Sequence, residues 1–192
     1  QATLMARLDR LPPAERYLLQ VAAVIGPQFD HPLLAGIAGA HVPVEPTLAL
    51  LLQHELVRPI GDERYHFVHS LTQETLYESL LFAQRRDTHR RIAEYLRLAD
   101  PERADADPAL LAFHYRRAEA WPETLDYAWS AGVRAQALYA GAVALAHYRN
   151  ALDAAARCDG AVGAHSRPPI LRRIGDLHAL AGRFADAVAC YD

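Results

Sequence analysis

The amino-acid sequence predicts a mainly α-helical chain: helices broken by one short β-hairpin in the first half, then repeated helical hairpins that begin an α-solenoid. Three observations carry this. Apolar residues recur at helical three- and four-residue spacing along most of the 192 positions. A single pair of short runs around a glycine turn, between Val57 and Val68, has strand character. From about residue 108 onward one spacing pattern recurs, as it does in stacked repeats.

Leu4, Leu8 and Leu11 begin the helical pattern, and Pro12-Pro13 breaks it and opens a second helix, since proline suits a first helical turn. That helix, about Ala14 to Ile25, is apolar through Tyr17, Leu18, Val21, Ala22 and Ile25, and Gly26-Pro27 stops it. Asp30 is placed to cap a short helix from His31 to Ala38. Thr47 to Leu56, after Pro46, holds five leucines and is expected to be a helix packed on several sides. The hairpin follows: Val57 to Ile60, a Gly61-Asp62-Glu63 turn, then Arg64 to Val68 with Tyr65 and Phe67 alternating. Helices followed by such a hairpin describe a winged helix. Ser70 to Leu81 and Arg85 to Leu98 are then amphipathic, with Leu71, Thr75, Tyr77, Leu80, His89, Ile92, Ala93 and Leu96 expected in the core.

This assigns 1–98 to a winged-helix-like domain with its following helices. Residues 99–107, acidic and poor in large apolar side chains, are expected to be a linker, and 108–192 the repeats. In the repeats, Phe184, Ala187, Val188 and Tyr191 share their spacing with Gly141, Ala144, Leu145 and Tyr148, and more loosely with Trp121, Thr124, Leu125 and Ala128. Small residues in that frame let helices approach closely, and the aromatic is expected to fill the gap to the next hairpin. Leu171, Ile174, Gly175, His178, Gly182, Phe184, Ala187 and Tyr191 fit the helix-turn-helix pattern of the tetratricopeptide repeat. The last repeat is expected to be truncated, with further chain covering its apolar face.

Composition narrows the function classes. A hydrophobic content of 52%, a charged content of 22% and a mean hydropathy of -0.08 describe a globular chain without a membrane-spanning run, and a cytoplasmic location is expected. All 20 basic residues are arginine, a bias that GC-rich bacterial codon usage produces. Residues 1–100 carry 10 Arg against 12 acids and residues 101–192 carry 10 against 11, so neither half is a polycation, which argues against DNA as a partner. Cys158 and Cys190 stand far apart with no CxxC pair, which points to structural thiols rather than a disulfide or zinc site.

The segment Tyr65-His66-Phe67-Val68-His69-Ser70-Leu71, continued by Glu74, Tyr77, Leu80, Arg85, His89 and Ala93, resembles the region behind the nucleotide-binding domain in bacterial STAND/AAA-type signalling ATPases. Adenylate-cyclase-associated ATPases and large LuxR-type regulators belong to this group. Arg16 to Gly26 with Phe29, and Tyr115, Trp121, Leu125, Tyr127, Ala131-Gly132 and Ala135, extend the resemblance over essentially the whole chain. It implies a winged helix that closes on an upstream nucleotide-binding domain, with ATP or ADP and Mg held by that domain. It also implies repeats that sense a protein or small-ligand partner. The phosphate loop Gly-x-x-x-x-Gly-Lys-Ser/Thr cannot occur in a chain without lysine. The segment is therefore expected to have no catalytic residues, no cofactor of its own and no enzyme activity by itself.

His69 is the first candidate site residue. Val68-His69-Ser70 is similar to the Met-His-Asp motif of STAND proteins, whose histidine contacts the phosphate of bound ADP, although Val and Ser replace Met and Asp. An imidazole donor to phosphate is strong and sensitive to protonation near neutral pH. The other reading is that His69 caps its helix or is a satisfied core group. Arg85, Arg86, Arg90 and Arg91 form a basic cluster able to meet acidic loops or DNA phosphates, or else a solvated face. Trp121 and Trp129, with Tyr115 and Tyr127, could line a ligand groove or pack between helices. His31, His41, His54, His66 and His69 lack a metal-ligand spacing. Two other functions stay open, a DNA-binding winged-helix regulator and a plain repeat scaffold.

Overall fold

In a computed structural model, which describes residues 8 and 10–191, the chain is mainly helical with one small three-stranded antiparallel sheet. It divides into two units, Gln1–Ala99 and Asp100–Asp192. Of the first leucines, Leu4 lies outside the described residues, and Leu8 is buried.

Unit 1 is built around α1 (Pro13–Ile25), whose prolines occupy positions where a backbone N–H would lack an acceptor anyway. Its apolar face, Leu18, Leu19, Val21, Ala22 and Val24, is buried against α2 (His31–Ala38), α3 (Val44–Gln53), α4 (Ser70–Ser79) and α5 (Phe82–Ala99). Asp30 caps α2 as its sequence predicts, its Oδ1 accepting from Leu33 N at 3.1 Å. Where α2 meets α5, Gly36 lies so close to the Tyr95 ring that a Cβ would fall 2.0 Å from it. The Tyr95 hydroxyl in turn donates to Pro32 O at 3.1 Å.

The sheet has one strand more than the sequence predicts. β2 (Val57–Pro59) and β3 (Arg64–Phe67) form the expected hairpin, and β1 (Gln28–Asp30) pairs with the other edge of β3 to give the order β1-β3-β2. Phe29 stands opposite Tyr65 with stacked rings 5.9 Å apart. Three residues, one of them also the cap of α2, are too short a run for alternation to register.

Three helix expectations need correction. α3 starts and ends three residues early: Pro46 falls inside its first turn, and Glu55 at φ 53 lets Leu56 N bond back to Leu51 O and close the helix. α3 also buries only one face, Val44, Thr47, Leu48 and Leu51, while Leu50 is 42% exposed. In α4 the buried residues are Thr72 and Leu76; of the expected set Leu71 is 41% exposed and Thr75 and Tyr77 are half-buried, while Leu80, at the C-cap, is buried as expected. In α5, by contrast, His89, Ile92, Ala93 and Leu96 are buried as their spacing predicts.

Residues 99–107, expected as a linker, begin at the division between the two units and carry a short helix, α6 (Pro101–Ala106), with α7 (Pro108–Arg117) after it. Two of the segment's four acids are helix caps. Asp100 Oδ1 accepts from Arg103 N and Asp107 Oδ1 from Leu110 N, each at 3.1 Å, and each cap is followed by proline. α8 (Trp121–Ala137), α9 (Gly141–Arg157), α10 (Ala161–Leu180) and α11 (Phe184–Tyr191) complete unit 2, each packed on the helix before it.

The recurring frame seen in the sequence begins α8, α9 and α11. Two residues before each start the chain turns through the left-handed region, at Glu119 (φ 56), Tyr139 (φ 58) and Gly182 (φ 72). Bonds from Ala120 N to Tyr115 O, Ala140 N to Ala135 O and Arg183 N to His178 O close the three turns alike. The core between the helices is rich in alanine, with Ala128, Ala144, Ala151 and Ala154 inaccessible to solvent. Tyr148 is the large side chain at its centre; it closes on the preceding helix and shares one core cluster with Ile170 and Ile174 of α10, the first helix of the next hairpin. A Cβ on Gly132 of α8 would lie 2.5 Å from its ring. Gly175 of α10 and Tyr191 of α11 repeat that interlock at the same 16-residue separation, 43 residues along the chain.

Candidate ligand-binding groove

Packing α10 against the α8–α9 pair leaves a cleft of about 400 Å³, lined on α8 by Leu125, Asp126, Trp129 and Ser130 and on α10 by His165, Ser166, Pro169 and Ile170. The spacing explains the α8 wall: 126, 129 and 130 share one face of a helix, Leu125 lies at the border of that wall and the core, and Ala128 is buried in the core. Pro168 and Pro169 sit inside α10. Proline removes a ladder hydrogen bond and bends a helix, so a wall built on it is shaped by covalent geometry. A second cleft, about 470 Å³, lies between the α6–α7 region and the C-terminal half of α8, lined by Pro108, Tyr127, Val133 and Arg134 among others. The two clefts meet at Trp129 and Ser130.

Trp129 is held from behind by Tyr148, their ring centroids 5.3 Å apart at 52°. The Tyr148 hydroxyl donates to Gln136 Oε1 at 3.0 Å. In the second cleft Arg134 Nη1 donates to Asp105 O at 3.3 Å. Asp126 is the one carboxylate among the residues lining the α8–α10 cleft, and His165 faces the cleft from α10. Loss of solvation and the neighbouring Glu123 carboxylate raise the Asp126 carboxyl above its ordinary range. Burial, then Asp126, Asp159 and Glu123, raise the Cys158 thiol as well.

The sequence-selected residues do not converge on one site. Trp129 lines the groove, but Trp121 packs at the other end of α8 under Arg157, whose guanidinium lies 4.5 Å from the ring centroid. Tyr115 and Tyr127 stack on each other at 5.5 Å. His69 is the N-cap residue of α4; its side chain is exposed and makes no capping bond, which removes the cap and core readings of it. The four arginines of α5 do not form one patch. Arg91 donates to Ile37 O at the end of α2, and Arg85 lies 5.2 Å from the Tyr77 ring centroid with Nε buried. Arg86, over the Phe82 ring, and Arg90 are exposed. Cys158 and Cys190 are free thiols, each half-buried.

Asp126, Ser130, His165 and Ser166 were not singled out by sequence reasoning. The available signal was the polar run Asp126, Trp129, Ser130 on one helical face and the proline pair beside His165-Ser166. Among the described residues no group of three or more His, Cys, Asp or Glu could hold a metal ion, and no helix is long and apolar enough to cross a membrane. The chain matches no protein-family model, no curated protein and no solved structure.

Proposed function

We propose that this chain is a non-catalytic regulatory and protein-interaction segment of a multidomain signal-transduction ATPase. Unit 1 is read as a winged helix that acts on a nucleotide-binding domain preceding it in the parent protein, and unit 2 as a tetratricopeptide-type array that receives a partner. The observation that carries the reading is the repeated interlock of Gly132 with Tyr148 and Gly175 with Tyr191, joined to identical left-handed turns: it is how a solenoid repeats a helical hairpin. The 43-residue recurrence is longer than the roughly 34 of a tetratricopeptide repeat, and the 20-residue, proline-containing α10 contributes to the excess.

The DNA-binding alternative gains nothing from α3, the helix before the hairpin, which contains no basic residue. The exposed His69, at the junction of the sheet and α4, is the residue offered to nucleotide phosphate held by the preceding domain. The test uses the parent protein: His69→Leu should speed ADP release and raise basal activity, while the 192-residue chain alone should not turn over ATP. ATP turnover by that chain, or unchanged ADP retention in His69→Leu, overturns the reading of unit 1.

A further inference from the structure

The α8–α10 cleft has a chemistry that selects its guest. No arginine is among its lining residues, and Asp126 is the one carboxylate there. Glu123 and Asp159 reinforce its negative potential, since both act on the neighbouring Cys158 thiol and Glu123 acts on Asp126 itself. An anionic guest would be repelled. Beside the carboxylate stands Trp129, an indole whose face attracts cations, immobilised by its contact with Tyr148. Ser130 and Ser166 add hydroxyl oxygens that can accept from a multidentate donor. A volume of about 400 Å³ suits one long side chain, and the adjoining cleft along α8 gives the chain that carries it a path to follow.

We propose that this cleft recognises a basic side chain, arginine or lysine, of an extended partner peptide, seated between the Asp126 carboxylate and the Trp129 ring. The proposal rests on the reading of unit 2 as a partner-binding array and names the chemistry of the partner. A guanidinium or ammonium there supplies Asp126 with a permanent positive charge, where the cleft's own basic group, His165, is an imidazole, so recognition is by charge and by planar stacking together.

The 192-residue chain is titrated with the probe acetyl-Gly-Ala-Arg-Ala-Gly-amide, and with the same peptide carrying citrulline, a neutral near-isostere, or glutamate in place of arginine. The readout is the indole N–H resonance of Trp129, distinguished from that of Trp121 with the Trp121→Phe variant. The arginine peptide should shift it saturably, the citrulline peptide should bind at least tenfold more weakly, and the glutamate peptide should not bind. Asp126→Asn, at an exposed position and so compatible with folding, should weaken the arginine peptide at least tenfold, and Glu123→Gln by less. Equal binding of the arginine and citrulline peptides, or an unchanged affinity in Asp126→Asn, overturns the proposal but leaves unit 2 a peptide-binding array. Absence of any shift with all three peptides overturns the proposal and removes this cleft from the array's binding surface.

Discussion

The hairpins α8–α9 and α10–α11 are built to one plan and differ in what covers them. Both close a glycine of the first helix onto a tyrosine of the second, and both tyrosines donate to a side chain of that first helix: Tyr148 to Gln136 Oε1 at 3.0 Å, Tyr191 to Asp176 Oδ1 at 2.8 Å. Yet Tyr148 is 0% exposed and Tyr191 52%. In α11 Val188 is 56% exposed, whereas its counterpart in the frame, Leu145 of α9, is buried, and Phe184, 70% exposed, stands where α9 has Gly141. The interlock therefore sets hairpin geometry locally, while stability comes from the layers on either side. In a solenoid these two contributions can be separated by substitution.

The largest expected effect is at the buried tyrosine. Tyr148→Ala removes an aromatic from the centre of the unit 2 core and should cost about 4 kcal/mol, whereas Tyr191→Ala should cost under about 1 kcal/mol. Urea unfolding of both variants measures the difference. Equal losses would mean that the interlock itself, and not its burial, holds the array together.

Acid should probe the interior next. His114 in α7 is buried, and desolvation, helped by the Arg103 charge, lowers its pKa to about 4 from an ordinary 6.5. Above pH 6.5 the ring is neutral whether the chain is folded or not, and no stability depends on it. Between about 6.5 and 4 the unfolded chain takes up the proton and the folded one does not, so stability falls with pH, by up to about 3 kcal/mol, and the loss levels off below pH 4. His114→Leu should flatten this limb of the stability–pH curve. Retention of the same slope in that variant would place the acid sensitivity elsewhere.

Gly132 and Gly175 test the interlock directly, with opposite signs. Alanine at 132 gains about 1 kcal/mol of helix propensity but drives a methyl into the immobile Tyr148 ring, an overpacking cost of about 1–3 kcal/mol, so the net effect should be a loss near 1 kcal/mol. At 175 the Tyr191 ring is half-exposed and can swing aside, so Gly175→Ala should be neutral or slightly stabilising. Paired urea midpoints decide it, and a loss at 175 as large as at 132 would show that Tyr191 is held as rigidly as Tyr148.

Long periodic segments were legible in the sequence and short or capped ones were not. α1, α2 and α5 carry enough apolar repeats, with Pro13 and Asp30 as start signals, to locate them within a few residues. β1 is three residues long and gains its stability from pairing with β3, a partner 36 positions away at Phe29 and Tyr65, which local periodicity cannot register. Asp100 and Asp107 looked like linker because cap residues and solvated acids share a composition; only their bonds to Arg103 N and Leu110 N tell them apart. For the groove, Trp129 was visible as an aromatic but Asp126 was not, because its significance comes from facing His165 and Ser166 of α10 across the cleft. A cleft wall is made by two helices, and neither sequence segment describes the other.

The smallest expected effect concerns the turns that enter the two hairpins' second helices. Tyr139 and Gly182 occupy equivalent left-handed positions at φ 58 and φ 72, but only glycine adopts that region without a Cβ clash. The Tyr139 side chain is 97% exposed, so its removal forfeits no packing. Tyr139→Gly should therefore stabilise the chain, by about 0.5–1 kcal/mol after the added freedom of the unfolded glycine is counted, and Gly182→Ala should destabilise it by about 1 kcal/mol. The measurement is again the urea midpoint. Destabilisation by Tyr139→Gly would show that the inner hairpin draws on this tyrosine for more than its turn. An exposed aromatic kept in a strained conformation, at the entry to the buried repeat, would then mark a contact that the folded chain alone does not satisfy.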